Sequence, residues 1–408
     1  MSNIMIYIPQ KIKLVFTDTI WSVAGLVLMN AAAQFAVYPF WNHCLGSEVY
    51  GNIVYLMAIM NIIAISIGSG VNYARIRCSI ERKTGGRPYM IMISTGVLVA
   101  VLVLFFLYLS GFLYLHKFEF VLYCILTAVT TWRYYADVEF RLHINYRGFF
   151  FYYLIIGIGY LFGILIFYLT ELWPLTLLPG EFLGLFFVIW RGSIFQQGVI
   201  EESFYPVLKL SLLLIGTSLL SHLVFNGDRI ILRLYLGGTT VSVFYIASLF
   251  GKAMTLITTP LNGVLAGHLA KYEGKLSYRL IKWVTWITLI AIILSTVFCI
   301  GVSYIVLPIL YPMEFEVVKQ YLMLASSAQI IYFMGNLLTG SLLLRFTSPF
   351  NQLIVNVIHG TLFVVICVPI AKFFGLSAFC WGLLLVNTFR LVLCLILGYK
   401  AIGKEVIV

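Results

Sequence analysis

The chain has 408 residues, of which 62% are hydrophobic and only 10% are charged. Water-soluble proteins contain about 45–50% apolar and about 25% charged residues, so this composition excludes a soluble globular enzyme or binding domain. The net charge of +11 does not indicate a nucleic-acid partner, because Lys-rich and Arg-rich loops also orient membrane helices.

Long stretches without Asp, Glu, Lys or Arg predict membrane-spanning helices. The runs at 19–47, 49–74, 88–116, 148–170, 283–313, 320–344 and 346–371 are long enough to cross about 30 Å of hydrocarbon. Shorter runs at 120–132, 210–227, 234–251, 253–270 and 373–389 need a snorkelling cation or a charge within the bilayer. We predict an all-α membrane protein of about twelve helices, centred near residues 29, 61, 99, 127, 159, 181, 217, 250, 294, 331, 361 and 386. The fourth and sixth are interrupted by charges, so ten or eleven helices remain an alternative.

The positions of Lys and Arg predict the orientation of these helices. With twelve spans and a cytoplasmic N-terminus, nineteen of the 26 basic residues fall on the cytoplasmic side, five fall outside and two lie within spans. The nineteen include Arg133, in the loop after the fourth predicted helix. Cytoplasmic loops carry such an excess of Lys and Arg. We therefore expect both termini to be cytoplasmic.

The chain divides near its middle into two halves that share a pattern. A polar stretch at 196–205 separates six predicted helices from six more. The first helix ends in a Leu45-Gly46 turn and the seventh in a Leu236-Gly237 turn, each followed at once by a new helix. We expect an N-terminal lobe at 1–200 with helices 1–6 and a C-terminal lobe at 201–408 with helices 7–12. Many transporters place their binding site between such repeats.

Six short segments, three in each half, carry a more specific pattern. In the first half these are Asp18-Thr19-Ile20-Trp21, then Leu45-Gly46-Ser47-Glu48-Val49-Tyr50-Gly51, then Gly68-Ser69-Gly70-Val71-Asn72-Tyr73-Ala74-Arg75. In the second half they are Asp228-Arg229-Ile230-Ile231-Leu232, the Leu236-Gly237 turn and Val243-Phe244-Tyr245-Ile246-Ala247. Over the first 80 residues and roughly 205–260 the sequence resembles Wzx-type O-antigen flippases of the polysaccharide biosynthesis family.

The resemblance implies a V-shaped bundle of twelve helices in two lobes, within the multidrug/oligosaccharidyl-lipid/polysaccharide exporter superfamily. It also implies translocation of an undecaprenyl-diphosphate-linked oligosaccharide from the cytoplasmic to the periplasmic leaflet of the bacterial inner membrane. The expected route is alternating access through a basic, polar central cavity. The expected partners are this glycolipid, the membrane lipids and other proteins of polysaccharide assembly.

Polar side chains at helical spacing are candidates for lining such a cavity, because a sugar diphosphate in hydrocarbon would lose its hydrogen bonds to water. These candidates are Asn30 and Gln34 in the first helix and His222 and Asn226 in the seventh, which leads into Asp228 and Arg229. The alternative is that these groups only join helices by hydrogen bonds.

Charged groups within predicted spans are fewer, and each is costly unless it faces a cavity or a partner. Lys252, midway along the eighth helix, is the candidate for meeting a diphosphate. Arg75 and Arg77, at the inner end of the second helix, either attract that diphosphate from the cytoplasmic leaflet or anchor the topology. His359 and Arg390 indicate a second polar zone in the C-terminal half, with structural packing as the alternative.

An uphill transporter needs a group that titrates or binds Na⁺. The candidate ion-coupling carboxylates are Asp18, Glu181 and Asp228, and an ion-paired or snorkelling role is the plainer alternative for Glu181. We expect no bound cofactor, with coupling to H⁺ or Na⁺ left open. We also expect no metal site, because the seven cysteines are scattered without a CxxC pair or a local His partner.

No HExxH, P-loop, GxSxG or GxGxxG motif is present in the sequence, so we do not expect an enzyme. Two alternatives to a flippase remain open. An O-antigen polymerase or membrane acyltransferase would serve the same pathway but typically needs a large outer loop with catalytic Arg or His. A drug or metabolite exporter of the same superfamily would favour an acidic cavity.

Overall fold

The computed structural model describes residues 2–82, 86–192, 204–259, 261–262, 276–337, 346–347 and 349–402. Every regular element in these ranges is a helix, which confirms the predicted all-α class. The helices before residue 193 are α1 (Ser2–Ala31), α2 (Tyr38–Arg82), α3 (Arg87–Leu109), α4 (Lys117–Ala136), α5 (Val138–Leu142), α6 (Tyr146–Thr170) and α7 (Pro174–Arg191). A π-helical segment, Ala32–Val37, joins α1 to α2.

The second half continues with long helices. They are α8 (Phe204–Leu236), α9 (Gly238–Ala253), α10 (Tyr278–Leu310), α11 (Phe315–Val318), α12 (Leu322–Gly335), α13 (Pro349–Leu362) and α14 (Val368–Lys400). A second π-helical segment, Phe363–Cys367, joins α13 to α14. Side-chain caps fix some of the helix starts: Ser277 accepts a hydrogen bond from the Leu280 amide at 3.2 Å, at the start of α10.

Eight helical stretches in the described ranges are long and apolar enough to cross a membrane. Two of them, Thr17–Cys78 and Ile354–Lys400, run through a glycine with a non-helical backbone, Gly46 and Gly375. Division at these glycines gives ten segments, and α4 and α12 bring the number to twelve. All twelve predicted helix centres fall within these helices. The chain is therefore a multi-pass membrane protein.

The chain forms two compact units. Unit 1 contains Met1–Trp41 and Leu56–Gly227, and unit 2 contains Asn42–Tyr55 and Asp228–Val408. Helix α8 therefore contributes to both units, as does α2. The predicted midpoint at 196–205 lies largely outside the described residues, and the lobe boundary at 200 stays a prediction.

The repeated Leu-Gly turns have the same backbone conformation. Gly46 has φ 78° and ψ 165°, and Gly237 has φ 87° and ψ 175°, a region that essentially only glycine occupies. Within unit 2 the two turns also meet, because the Glu48 carboxylate accepts hydrogen bonds from the Gly238 amide at 3.1 Å and the Thr239 amide at 2.7 Å. An acidic side chain thus caps the N-terminus of α9, where backbone amides lack helical partners.

Helices α6 and α7 pack against each other with their backbones in contact. A Cβ on Gly159 would lie 2.3 Å from the Gly180 Cα, and one on Gly163 would lie 1.9 Å from the Thr176 carbonyl oxygen. Small residues permit such close approach between membrane helices. This packing brings Tyr160 of α6 to Glu181 of α7.

Candidate functional site

A buried ion pair joins α8 to α9 in unit 2. Lys252 Nζ lies 2.5 Å from Asp228 Oδ2, and both side chains are almost completely buried. Gln329 of α12 also approaches Asp228 Oδ2, with its Nε2 at 3.4 Å. The Arg229 amide donates to Asp228 Oδ1 at 2.8 Å. Asp228 and Lys252, both predicted site residues, therefore neutralise each other.

Arg229 lies beside this pair on α8. Its guanidinium carbon is 4.8 Å from the centre of the Tyr245 ring, and the residue is buried. Guanidinium groups are attracted to aromatic faces, and the attraction grows when water is excluded. This contact holds the Arg229 side chain against α9.

Helices α12, α13 and α14 form a second polar zone in unit 2. The Tyr332 ring lies between two basic side chains: His359 stacks on it at 5.5 Å, and the Arg390 guanidinium carbon is 4.5 Å from its centre. His359 Nε2 is 2.9 Å from Asn387 Oδ1. Two of the predicted site residues, His359 and Arg390, therefore belong to one cluster.

Arg390 is a buried cation without an ion pair among the described residues. It is 8% exposed and donates from Nη2 to Asn336 Oδ1 at 3.1 Å, with Asn356 Oδ1 at 3.5 Å. Both acceptors are neutral amides. Its Nε atom is buried and has no hydrogen-bond partner in the described part of the chain. Within the described ranges, the charge of Arg390 is thus stabilised by amide dipoles and an aromatic ring.

The interior of unit 1 holds another ion pair, between α4 and α7. Arg133 Nε lies 3.1 Å from Glu181 Oε2, and Tyr160 donates to Glu181 Oε1 at 2.6 Å. Arg133 also donates to the Met29 sulfur at 3.0 Å. The sequence assigned Arg133 to a cytoplasmic loop, but the residue is buried in the last turn of α4 and faces Glu181.

A polar junction lies at the end of α4, also in unit 1. Asp137 Oδ2 accepts from Arg141 Nη2 at 2.9 Å and from the Tyr153 hydroxyl at 3.1 Å. Asn72 of α2 donates to Asp137 Oδ1 and to the Tyr134 carbonyl oxygen, the latter at 3.0 Å. This junction connects α2 to α4 and α6. Because the charges of Asp137 and Arg141 pair with each other, we assign the junction a structural role.

Arg75 is the counterpart of Arg390 in unit 1. It is 8% exposed and donates from Nη1 to the Tyr135 hydroxyl at 2.7 Å. That phenol is neutral, and no carboxylate of the described residues forms an ion pair with Arg75. A buried cation with only neutral partners forfeits hydration without gaining a counter-ion.

The predicted polar stripes lie in unit 1, with three of their residues half-buried and Asn226 buried. Asn30 donates to the Leu26 carbonyl oxygen of its own helix at 2.8 Å, and Gln34 lies in the π-helical segment. His222 is also half-buried, with its Nδ1 lacking a partner among the described residues, whereas Asn226 is buried and donates to the His222 carbonyl oxygen at 3.1 Å. Local bonds therefore use only part of the hydrogen-bonding capacity of these side chains.

The three candidate ion-coupling carboxylates differ in their surroundings. Glu181 and Asp228 are held by Arg133 and Lys252. Asp18 is half-buried on α1 and has no ion pair in the described ranges. Two of the three carboxylates therefore hold ion pairs, and the ion-coupling role stays a prediction for all three.

Sequence reasoning missed several members of these clusters. Arg133, Tyr160, Gln329 and Asn336 were not predicted as site residues, although the charges crowding the end of α4 were visible in the sequence. Tyr and Gln inside apolar helices give no signal of their own. Only their distance to a buried charge identifies them.

No protein-family model matches the sequence, and no curated protein matches it. An outward-facing multidrug resistance MATE family transporter of the MOP superfamily is 14% identical with a TM-score of 0.62, over 95% of each chain. A MOP superfamily transporter from Pyrococcus furiosus, described as having a binding pocket of reverse polarity that suggests a different function, is 15% identical with a TM-score of 0.62, over 95% of each chain. The Vibrio cholerae MATE transporter VcmN in its bent form is 14% identical with a TM-score of 0.57, over 95% of this chain and 96% of that chain.

Each of these similarities extends over almost the whole of both chains at low sequence identity. The proteins share an architecture of twelve membrane helices in two lobes, as predicted for this sequence. The chain therefore has the fold of the MATE transporters of the MOP superfamily.

Proposed function

We propose that the chain is a flippase that carries an undecaprenyl-diphosphate-linked oligosaccharide from the cytoplasmic to the periplasmic leaflet of a bacterial inner membrane. Alternating access is the expected route, as in transporters of this fold. The sequence resemblance to Wzx-type flippases supports the glycolipid as cargo. The fold supports transport but is shared with multidrug transporters, so the choice of cargo depends on the charges in the interior.

The observation that carries the proposal is that two buried arginines, Arg75 in unit 1 and Arg390 in unit 2, have no counter-ion among the residues that the structure describes. Burying a cation costs on the order of several kcal/mol unless an anion or strong dipoles compensate its charge. Lys252 does not add to this surplus, because Asp228 neutralises it. An anionic diphosphate would compensate either arginine, whereas a cationic drug would be repelled by each of them.

A MOP superfamily transporter with the same fold is described as having a binding pocket of reverse polarity. That description supports the idea that this fold accommodates pockets of different charge. Half-buried Asn30, Gln34 and His222 would supply hydrogen bonds to sugar hydroxyls. Among the three carboxylates, Asp18 is our choice for ion coupling, because Glu181 and Asp228 already hold ion pairs.

The experiment uses cells that lack the protein and are complemented with single variants. Loss of the protein should leave lipid-linked repeat units on the cytoplasmic face. The variants Arg75→Gln and Arg390→Gln should each restore export of the repeat units to less than about a tenth of the wild-type level. Each substitution removes a charge-assisted contact.

The matched control is Arg77→Gln, which removes the same charge from an exposed side chain two residues from Arg75 on α2. It should restore export fully. Normal exposure of repeat units in cells without the protein would contradict the proposal. Equal loss in Arg77→Gln and Arg75→Gln would mean that the charge acts on topology and not on cargo.

A further inference from the structure

A cavity in unit 1, separate from the buried arginines, lies where α5, the α5–α6 turn and the end of α7 meet. We propose that it binds a neutral pyranose sugar. Its volume is about 360 Å³, and it is lined by Glu139, Phe140, His143, Asn145, Trp190, Arg191 and Gly192. Ligand pockets of this size hold small molecules.

The lining excludes an acyl chain and favours a hydroxyl-rich ligand. Four of the seven lining residues are acidic, basic or amide side chains. Carboxylates and amides accept hydrogen bonds from sugar hydroxyls, while guanidinium and imidazole groups donate to them. An apolar tail would displace water from these polar groups without replacing its hydrogen bonds, at the cost of their desolvation.

The charges in the cavity favour a neutral ligand over a phosphate. Arg191 would attract an anion, but the carboxylate of Glu139 lines the same cavity and would repel it. Glu139 is buried, and its Oε1 lies 3.3 Å from His143 Nδ1. That contact holds the carboxylate in position before a ligand arrives, which lowers the entropy lost on binding.

Trp190 supplies the apolar surface that a pyranose ring needs. Its side chain is 68% exposed at the end of α7, and the Arg191 guanidinium carbon lies 4.8 Å from the ring. A pyranose presents C–H groups on one face and hydroxyls at its edge, so it can stack on an indole while the edge bonds to polar groups. Large rigid aromatic rings offer such contact at little entropic cost.

This cavity is not part of the proposed transport route, which depends on Arg75 and Arg390. The inference rests on the proposed function only for the origin of the sugar, a unit of the lipid-linked oligosaccharide. The predicted topology puts the α5–α6 turn on the cytoplasmic side, where that oligosaccharide is assembled. The cavity would then capture a sugar of the headgroup before its translocation.

The test uses the purified full chain in nanodiscs of phosphatidylethanolamine and phosphatidylglycerol. Binding is measured by saturation-transfer difference NMR with methyl glycosides of glucose, galactose, N-acetylglucosamine and N-acetylgalactosamine. At least one of them should give a saturable signal that inorganic phosphate does not displace. Trp190→Ala should weaken its binding by about tenfold, because stacking on the indole is lost.

Two further variants keep the result decisive. Trp283→Ala removes an equally exposed indole, at 64%, and should bind the sugar as the wild type does. Glu139→Gln should weaken binding as Trp190→Ala does. The proposal is overturned if no glycoside binds, if phosphate competes, or if Trp190→Ala binds like the wild type. A failure to bind sugar would overturn this inference and leave the flippase proposal intact. Normal export of repeat units in cells without the protein would overturn only the flippase proposal.

Discussion

At the scale of single residues, the buried charges fall into two classes. Glu181 and Asp228 each face a basic side chain across a helix–helix contact. Among the described residues, Arg75 and Arg390 bond to neutral groups. The ion pairs account for stability without a substrate, whereas the two arginines make sense if a substrate brings the missing charge.

The Asp228–Lys252 pair can be tested by a double-mutant cycle. Lys252→Met should lower the free energy of unfolding by about 3–5 kcal/mol, because it leaves a buried carboxylate uncompensated. Adding Asp228→Asn should restore most of that loss, since the amide can keep the bond from the Arg229 amide. Thermal unfolding in detergent measures both effects.

Lys319→Met is the control for this cycle. Lys319 forms an exposed pair with Glu316, and exposed pairs contribute little to stability. It should leave unfolding unchanged. Failure of Asp228→Asn to rescue Lys252→Met would mean that Lys252 stabilises the protein through contacts other than this ion pair.

The sequence could identify the buried charges but not their partners. Asp228 and Lys252 were both predicted as site residues, yet 24 positions separate them and no local spacing links them. Arg133 looked like a cytoplasmic anchor because it ends a short apolar run. Its partner Glu181 stands on another helix, so only helix packing could reveal the pair.

At the scale of elements, the repeated turns show how the sequence determines helix boundaries. Gly46 and Gly237 interrupt continuous apolar stretches with a backbone conformation that an L-residue resists. The resulting helix start at Gly238 exposes amides that the Glu48 carboxylate accepts. The Leu-Gly repeat was visible in the sequence, but the contact between its two copies was not.

Gly237→Ala should therefore lower the free energy of unfolding by about 1–3 kcal/mol, through backbone strain alone. Space is not the reason, since a Cβ at this position meets no atom within 4 Å. Gly216→Ala is the matched control: that glycine lies inside α8, also with open space around its Cα, and alanine favours a helix. Thermal unfolding should separate the two, and equal stability of both variants would contradict the role of the turn.

At the scale of the whole molecule, composition and charge-free runs were sufficient to predict an all-α bundle of twelve spans. The uncertain fourth helix is real, and its charges belong to a buried junction around Asp137 and Arg133. The cargo could not be predicted from composition and charge-free runs. It depends on which buried charges lack partners, and this is a property of packing and not of composition.

We infer above all that Arg75 and Arg390 each act on the negative charge of an acidic lipid carrier during its transport. The most direct measurement is transport by the purified protein in liposomes, with a synthetic undecaprenyl-diphosphate-linked sugar in one assay and a cationic dye in a parallel one. We expect the wild-type protein to move the glycolipid and not the dye. Arg75→Gln combined with Arg390→Gln should abolish glycolipid movement. Dye transport by the wild type, with the glycolipid left in its leaflet, would contradict the account.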